Sequence, residues 1–560
     1  MTKQTSLLID SIILGIIGAL GARLFDFLLG FIQKYTLQFL GGYIPLQLVS
    51  EGGGRVSGVV GSHGLIFIPL VVILGGILSG FLVYSLAPEA EGHGTDTVVG
   101  AFHQNEGKIR NRVTPVKLIA SAITIGTGGS AGKEGPTALF SAGIGSTYAS
   151  IMRKPDNYRR TLILIGMAAG LSAIFRSPIG TAIFGVEVLY SEMEFESTDL
   201  IYTMLASIIA YAVNGIFVGF KPLFQVPTEI SITKFSDYFW YILLGITSGV
   251  IGTAVPNIFY GIRDLFHKIP IKPHFKPAIG ALGVGLIALA YPQILGGGYG
   301  WIEKAIQGEL VLSVMLILLF AKMIAFALTV SSGGSGGVFA PTLYLGAMLG
   351  GTLSIVFHQP HAAFAVVGMA AVFGSAARVP IATLLMVTEM TGGYKLLVPA
   401  ALSVILAFLV QGLLSKKLKY KSLYEKQVST TADSPVHVIS HLRTIVKLMS
   451  ERNSFRNLDV GHLNFISLLK SGIPLDMPGN KKLFIGSLRK KSPCIGSLIQ
   501  DYCLYEEDKN WEIAGILREQ QLIIPHPGMA LDSEDQLIIF GTESVIKELK
   551  KVLKVPGSKK

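Results

Sequence analysis

Long apolar runs dominate the first three quarters of the chain, at residues 65–86, 162–189, 200–219, 239–260, 309–330 and 396–414. Several reach the roughly 20 residues that cross a hydrocarbon core, while others are cut short by Gly or Pro. The pattern predicts a polytopic bundle of membrane helices, some of them broken. An earlier run, residues 11–32, is too long for a signal peptide. It has a weak positive flank and lacks a clear small-x-small cleavage site, so it reads as an uncleaved helix. After about Leu414 the pattern changes to short apolar runs among charges. Residues 416–482 read as a linker carrying one helix (HLRTIVKLMSERN). Residues 483–553 read as a small α/β domain of strand, turn, strand, Pro-Gly turn, strand and amphipathic helix. The expected division is therefore a membrane domain over 1–415, the linker over 416–482 and a cytosolic module over 483–553.

Composition agrees with a bilayer protein. Only 15% of the 560 residues are charged, against about 25% in soluble chains. The net charge of +11 is scattered, with local concentrations at residues 152–160 (MRKPDNYRR) and 416–426 (KKLKYKSLYEK). Such clusters mark cytoplasmic loops rather than a nucleic-acid surface. The two cysteines, Cys494 and Cys503, make neither a disulfide framework nor a metal set and fit a reduced compartment.

The membrane region repeats itself. GMAAGLSAIFRSPIGTAIFGVE (166–187) matches GMAAVFGSAARVPIATLLMVTE (368–389) without gaps, and GGSAGKEGPT (128–137) matches GGSGGVFAPT (333–342) in the same order. The domain is a duplicated unit. Each copy carries a glycine-rich stretch followed by a proline, Pro136 or Pro341, expected at the first helical position. Pro178 and Pro380 are expected to begin two further helices in the same manner. The free N–H groups of a first turn carry partial positive charge, and irregular backbone survives at membrane depth only where protein or a wet cavity covers it. Two such helix starts meeting near the midplane would make an anion site. A phosphate loop is excluded, because Thr127 stands where its first glycine is needed and Glu134 where its Ser/Thr is needed. The run 126–131 has no βαβ setting for a dinucleotide. Tight helix packing explains the glycines but not Lys133–Glu134, since an intramembrane carboxylate is costly and usually functional.

These residues resemble a known family. Gly132-Lys133-Glu134-Gly135-Pro136 is similar to the G-(K/R)-E-G-P motif of CLC chloride channels and proton-coupled chloride transporters, and Gly336–Pro341 to their G-x-F-x-P motif. Gly92-His93-Gly94 sits where the family has G-(S/H)-G-x-P, and Tyr424 where it has a pore-lining tyrosine. The resemblance implies an all-α membrane domain of two inverted repeats with many tilted, broken helices, a homodimer with one ion pathway per subunit, and transport rather than enzymatic chemistry. It implies that Glu134 is the gate, a carboxylate competing with the anion for the helix-end site. Backbone N–H groups of Val338 and Phe339, with those around Lys133 and Gly135, would bind the anion, as would the Tyr424 hydroxyl, and His93 is a possible further donor.

Two positions depart from the family pattern. Thr95-Asp96 replaces a hydrophobic-Pro pair, with Asp96 readable as a helix N-cap. Val188 stands where many proton-coupled members carry an inner glutamate, with Glu187 matching its neighbour. A valine carries no proton, which leaves a channel or an exchanger routing protons through water. The matched pairs Glu187/Glu389 and Arg176/Arg378 read as structural, and Lys117 and Lys322 as snorkelling or paired side chains.

The C-terminal stretch around Ile513–Arg518, 524–527 and 535–541 resembles the RCK or TrkA C-terminal module of potassium-uptake proteins. Such modules dimerise, and some bind small ligands including cyclic di-AMP. No metal or other cofactor is expected. Three functions follow as alternatives: an anion channel or exchanger for chloride or a similar monovalent anion, a ligand sensor with a non-conducting pore, and a cation carrier suggested by the C-terminal module alone.

Overall fold

The computed structural model describes residues 3–48, 50, 58–59, 65–226, 235–431, 434 and 436, and the segments 475–477, 481–488, 495–498, 511–518, 521–523, 528–533, 535–542 and 553–554. The chain divides into two compact units, Met1–Gln427 and Val428–Lys560. The expected linker helix (441–453) and the amphipathic helix after Thr542 lie outside the described residues.

The first unit is helical. Its first half holds α1 (Lys3–Gln33), α2 (Ile68–Leu86), α3 (Thr95–Gln104), α4 (Val113–Gly126), α5 (Glu134–Ile151), α6 (Asp156–Phe175), α7 (Pro178–Glu187) and α8 (Ser197–Val218). The second half holds α9 (Asp237–Lys268), α10 (Lys276–Ala290), α11 (Tyr299–Ile306), α12 (Leu312–Ser331), α13 (Phe339–Val356), α14 (His361–Ala377), α15 (Pro380–Thr391) and α16 (Leu397–Ser415). Each half opens long, long, short, long in the same order. A 3-10 turn precedes the short helix in both, at Pro88–Ala90 and Pro292–Ile294. The duplication thus extends well beyond the two motifs that betray it in the sequence. Nine spans among the described residues are long and apolar enough to cross a membrane.

The halves pack as an inverted pair. α2 packs on its counterpart α10 and α7 on its counterpart α15. Gly132 and Gly337, equivalent by the repeat, form an antiparallel bridge. An antiparallel contact between equivalent residues reverses one half against the other. The run 162–189 is broken into α6 and α7 at Arg176, whose left-handed φ of 54° ends α6. Its repeat partner Arg378 ends α14 at φ 55° in the same manner. Two arginines in a conformation that costs most residues about 1 kcal/mol are held there by their guanidinium contacts. Arg176 donates to the Lys221 and Ser50 carbonyls, and Arg378 to the Ser191 carbonyl, Gln411 and Glu192.

One expectation is corrected. α5 and α13 begin at Glu134 and Phe339, so Pro136 and Pro341 are third rather than first in their helices. Proline still fits, because a third-position N–H has no helical acceptor either. The first intrahelical bond of α5 comes from the next residue, Thr137 to the Lys133 carbonyl at 3.1 Å. Pro178 and Pro380 do open α7 and α15.

In the second unit, β1 (Tyr43–Ile44) and β2 (Gly58–Val59) having been used by the first, the strands are β3 (Leu475–Met477), β4 (Lys481–Leu488), β5 (Trp511–Arg518), β6 (Gln521–Ile523), β7 (Gln536–Thr542) and β8 (Leu553–Lys554). They form one antiparallel sheet of order β3-β4-β7-β5-β6, with β8 on β4. The central strands bury Phe484, Ile485, Ile516, Leu537 and Ile539. Asp535, fully buried, receives both nitrogens of an Arg518 fork at 2.8 Å, which supplies the partner a buried carboxylate requires.

Candidate functional site: three helix starts around a buried carboxylate

The two glycine-rich loops meet back to back. Gly132 N–H donates to the Gly337 carbonyl at 2.8 Å and Gly337 N–H to the Gly132 carbonyl at 2.7 Å. A third loop joins them, with Gly336 N–H donating to the Gly92 carbonyl at 3.2 Å. These bonds bring the starts of α3, α5 and α13 together. The approach is so close that a Cβ on Gly135 would collide with the His93 carbonyl, so glycine is required there. The expectation that the helices following the two glycine-rich loops converge on one site holds.

Between these helix starts lies a small cavity lined by Thr95, Glu134, Gly135, Val338, Phe339 and Tyr424, together with Leu171 and Phe184. Glu134 is 1% exposed. Its Oε2 accepts the N–H of Ala340, in the first turn of α13, at 3.4 Å, and its Oε1 has no hydrogen-bond partner among the described residues. A carboxylate from one repeat therefore occupies the positive helix end of the other. The Phe339 ring is held by Phe175 and Phe373, at 4.3 Å and 4.0 Å between centroids.

Tyr424 arrives on the segment after α16 and is 2% exposed. Neighbouring backbone fixes it: Leu423 N–H donates to the Ala376 carbonyl at 2.9 Å, and the Tyr260 hydroxyl to the Leu423 carbonyl at 2.7 Å. His93 is buried with its ring 5.5 Å from that of Tyr424, and its Nδ1 has no hydrogen-bond partner among the described residues. It stands beside the cavity rather than among the lining residues. Asp96 is not the N-cap. Gly94 holds that place with φ 88°, and the Asp96 carboxylate instead accepts the backbone N–H of Lys426 at 2.8 Å.

Lys133 points elsewhere. Its ammonium pairs with Asp26 at 3.2 Å, lies 5.7 Å from the Tyr299 ring centre, and lines a separate, larger cavity with Arg23, Asp26 and the 296–298 glycines. Only its backbone belongs to the α5 start. Val188 is fully buried at the end of α7.

The matched pairs of the sequence turn out to be reciprocal braces. Glu187, ending α7, accepts the N–H groups of Ile381 and Ala382 at 3.1 and 2.6 Å and so caps α15. Glu389, in α15, accepts those of Ile179 and Gly180 at 3.1 and 2.9 Å and the Ser177 hydroxyl at 2.5 Å, capping α7. Lys117 donates to the Ala90 and Gly92 carbonyls at 3.0 and 2.7 Å, and Lys322 to those of Ile294 and Gly296 at 2.7 and 2.6 Å. Each buried ammonium thus ties down the loop before a short helix. The sequence signal for the two glutamates was their matched position in the repeat, from which their partners could not be read. The lysines are fully buried rather than snorkelling, and their own match in the repeat was the signal that could have found them. Among the described residues no group of three or more His, Cys, Asp or Glu gathers for a metal.

Comparison with known proteins agrees with this geometry. The family described as "Voltage gated chloride channel" matches residues 75–412, and the TrkA-C domain matches residues 487–554. The "H(+)/Cl(-) exchange transporter ClcA" of Salmonella agona (strain SL483) is 30% identical over 386 residues, 66% of this chain and 81% of that protein. The protein of the same name from Cronobacter sakazakii (strain ATCC BAA-894) is 30% identical over 361 residues, 62% of this chain and 77% of its own. Among solved structures, a CLC-type fluoride/proton antiporter aligns with TM-score 0.64 at 24% identity, covering 77% of this chain and all of that one. A slow cyanobacterial Cl-/H+ antiporter aligns with TM-score 0.65 at 21% identity, covering 75% and 96%. With two inverted helical repeats, a buried carboxylate across their joined helix starts and these matches, the chain is a multi-pass membrane protein that belongs to the voltage gated chloride channel, or CLC, family, and it carries a TrkA-C domain.

Proposed function

We propose that this protein moves chloride or a similar monovalent anion across the membrane through the cavity between α3, α5 and α13, with Glu134 as the gate. The observation that carries the reading is the Glu134 carboxylate seated on the α13 start, 3.4 Å from the Ala340 N–H. A tethered anion there occupies the place a free anion needs. When protonated or displaced it vacates that place, and the N–H groups of Val338, Phe339 and Gly135 become available. The Tyr424 hydroxyl supplies a further donor and His93 stands behind it. Lys133 acts at a distance, through positive potential from the larger cavity.

The relatives named as H(+)/Cl(-) exchange transporters support exchange, whereas Val188 offers no inner proton carrier, so any coupled proton must pass by water. Simultaneous recording of chloride and pH in liposomes holding the purified protein separates the two modes. Chloride flux with stoichiometric proton counterflow identifies an exchanger, and chloride flux without it a channel. Absence of any anion flux would leave the sensor and cation-carrier readings. We assign a homodimer with one pathway per subunit and a cytosolic C-terminal module that dimerises or binds a small ligand such as cyclic di-AMP. Calorimetric titration of the full-length protein with cyclic di-AMP tests that ligand.

A further inference from the structure

Tyr424 lies between anchors of different kinds. On its N-terminal side Leu423 is held by backbone and by the Tyr260 hydroxyl. On its C-terminal side Glu425 pairs with Arg263, the Gln427 amide donates to the Tyr190 and Ala377 carbonyls, and the tie to α3 is a carboxylate, since Lys426 N–H donates to Asp96 Oδ1 at 2.8 Å. A second contact runs along the same face of α3. The Lys426 stem passes directly over Gly100, one turn beyond Asp96, where an added Cβ would stand 2.5 Å from its Cδ. Side chains four apart share a helix face, so residues 96 and 100 form one seat for Lys426. Thr95, adjacent to Asp96, lines the anion cavity together with Tyr424. The seat therefore joins the strand of chain that carries the tyrosine to the helix start it faces.

We infer that Asp96 is a positioning residue: by accepting the Lys426 N–H, its carboxylate latches the 422–427 segment onto α3 and sets where the Tyr424 hydroxyl stands over the anion cavity. The inference rests on the reading of Tyr424 as an anion ligand. It also accounts for Asp96 standing where the resembling family has proline, since proline has no acceptor side chain. A hydrogen bond to a charged ligand is worth roughly tenfold in equilibrium terms, and it decays steeply with misplacement.

The test is the ratio of chloride to nitrate flux through purified full-length protein in liposomes. Asp96→Ala removes the acceptor and shifts this ratio by about threefold or more, in the same direction as Tyr424→Phe. Asp96→Asn keeps an acceptor oxygen and stays within about twofold of the wild type. Lys426→Pro removes the donated N–H without touching the carboxylate and reproduces the Asp96→Ala shift, which keeps the test intact if Asp96→Ala fails to fold. In a Tyr424→Phe background neither Asp96→Ala nor Lys426→Pro moves the ratio further, because the group they position is gone. Equal shifts with and without the hydroxyl, or an unchanged ratio in Lys426→Pro, overturn the latch. An unchanged ratio in Tyr424→Phe alone overturns instead the assignment of Tyr424 as a ligand, and the latch with it.

Discussion

The two repeats share a scaffold and differ in chemistry. Lys117 and Lys322 tie equivalent loops, Glu187 and Glu389 cap each other's helices, and Arg176 and Arg378 end equivalent helices with the same left-handed turn. At the site itself the correspondence ends. Glu134, which begins α5, is answered by Phe339, which begins α13. Lys133 is answered by Val338, and His93 in the loop before α3 by a glycine in the loop before α11. One repeat supplies the charge and the other the apolar wall and helix end that receive it. Two identical carboxylates facing each other across so small a cavity would repel. Duplication built the frame, and divergence at a few positions set the Glu134 carboxylate against the α13 start.

The comparison predicts that matched positions govern stability and unmatched ones govern transport. The largest effect on stability is expected from breaking a brace. Glu389→Ala leaves two N–H groups and a hydroxyl without their acceptor, and Glu187→Ala leaves two N–H groups. Each should cost about 2–4 kcal/mol, seen as lower thermal unfolding temperatures in detergent. Similar losses from the two variants would support equivalent braces, while a large loss from only one would break the symmetry argument. A smaller effect is expected at Lys133, which is unmatched and paired with Asp26. Lys133→Gln should reduce anion flux a few-fold at low ionic strength and less at high salt, with little change in unfolding temperature. A salt-independent loss would mean that Lys133 is structural. The smallest effect on the membrane domain comes from truncation after Gln427, at the boundary between the compact units. The shortened protein should insert and elute as a single species, with only its regulation or dimer strength altered.

Much of the frame was readable along the chain. Residues 166–187 and 368–389 align without a gap because helix packing fixes residue identity over whole turns, and the Pro178 and Pro380 starts follow from local backbone chemistry. The short helices α3 and α11 escaped the hydropathy pattern, since ten and eight residues are too few to form a span. The two-residue error at α5 and α13 arose because proline is tolerated anywhere in a first turn that has no acceptors. What stayed hidden were contacts between residues roughly 200 or more positions apart: the Glu187 and Glu389 caps, the Glu134–Ala340 bond and the Asp96–Lys426 latch. The orientation of Lys133 away from Glu134 was equally hidden, because adjacency in sequence does not fix where a long side chain points.

Glu134 carries the central claim, and its amide variant tests it most directly. Glu134→Gln keeps the size of the side chain and removes the charge seated at the α13 helix end. Anion flux through the variant in liposomes, followed from pH 4 to pH 8, should persist and lose most of its pH dependence, and any proton counterflow should vanish. Flux and pH response both equal to the wild type would contradict the account.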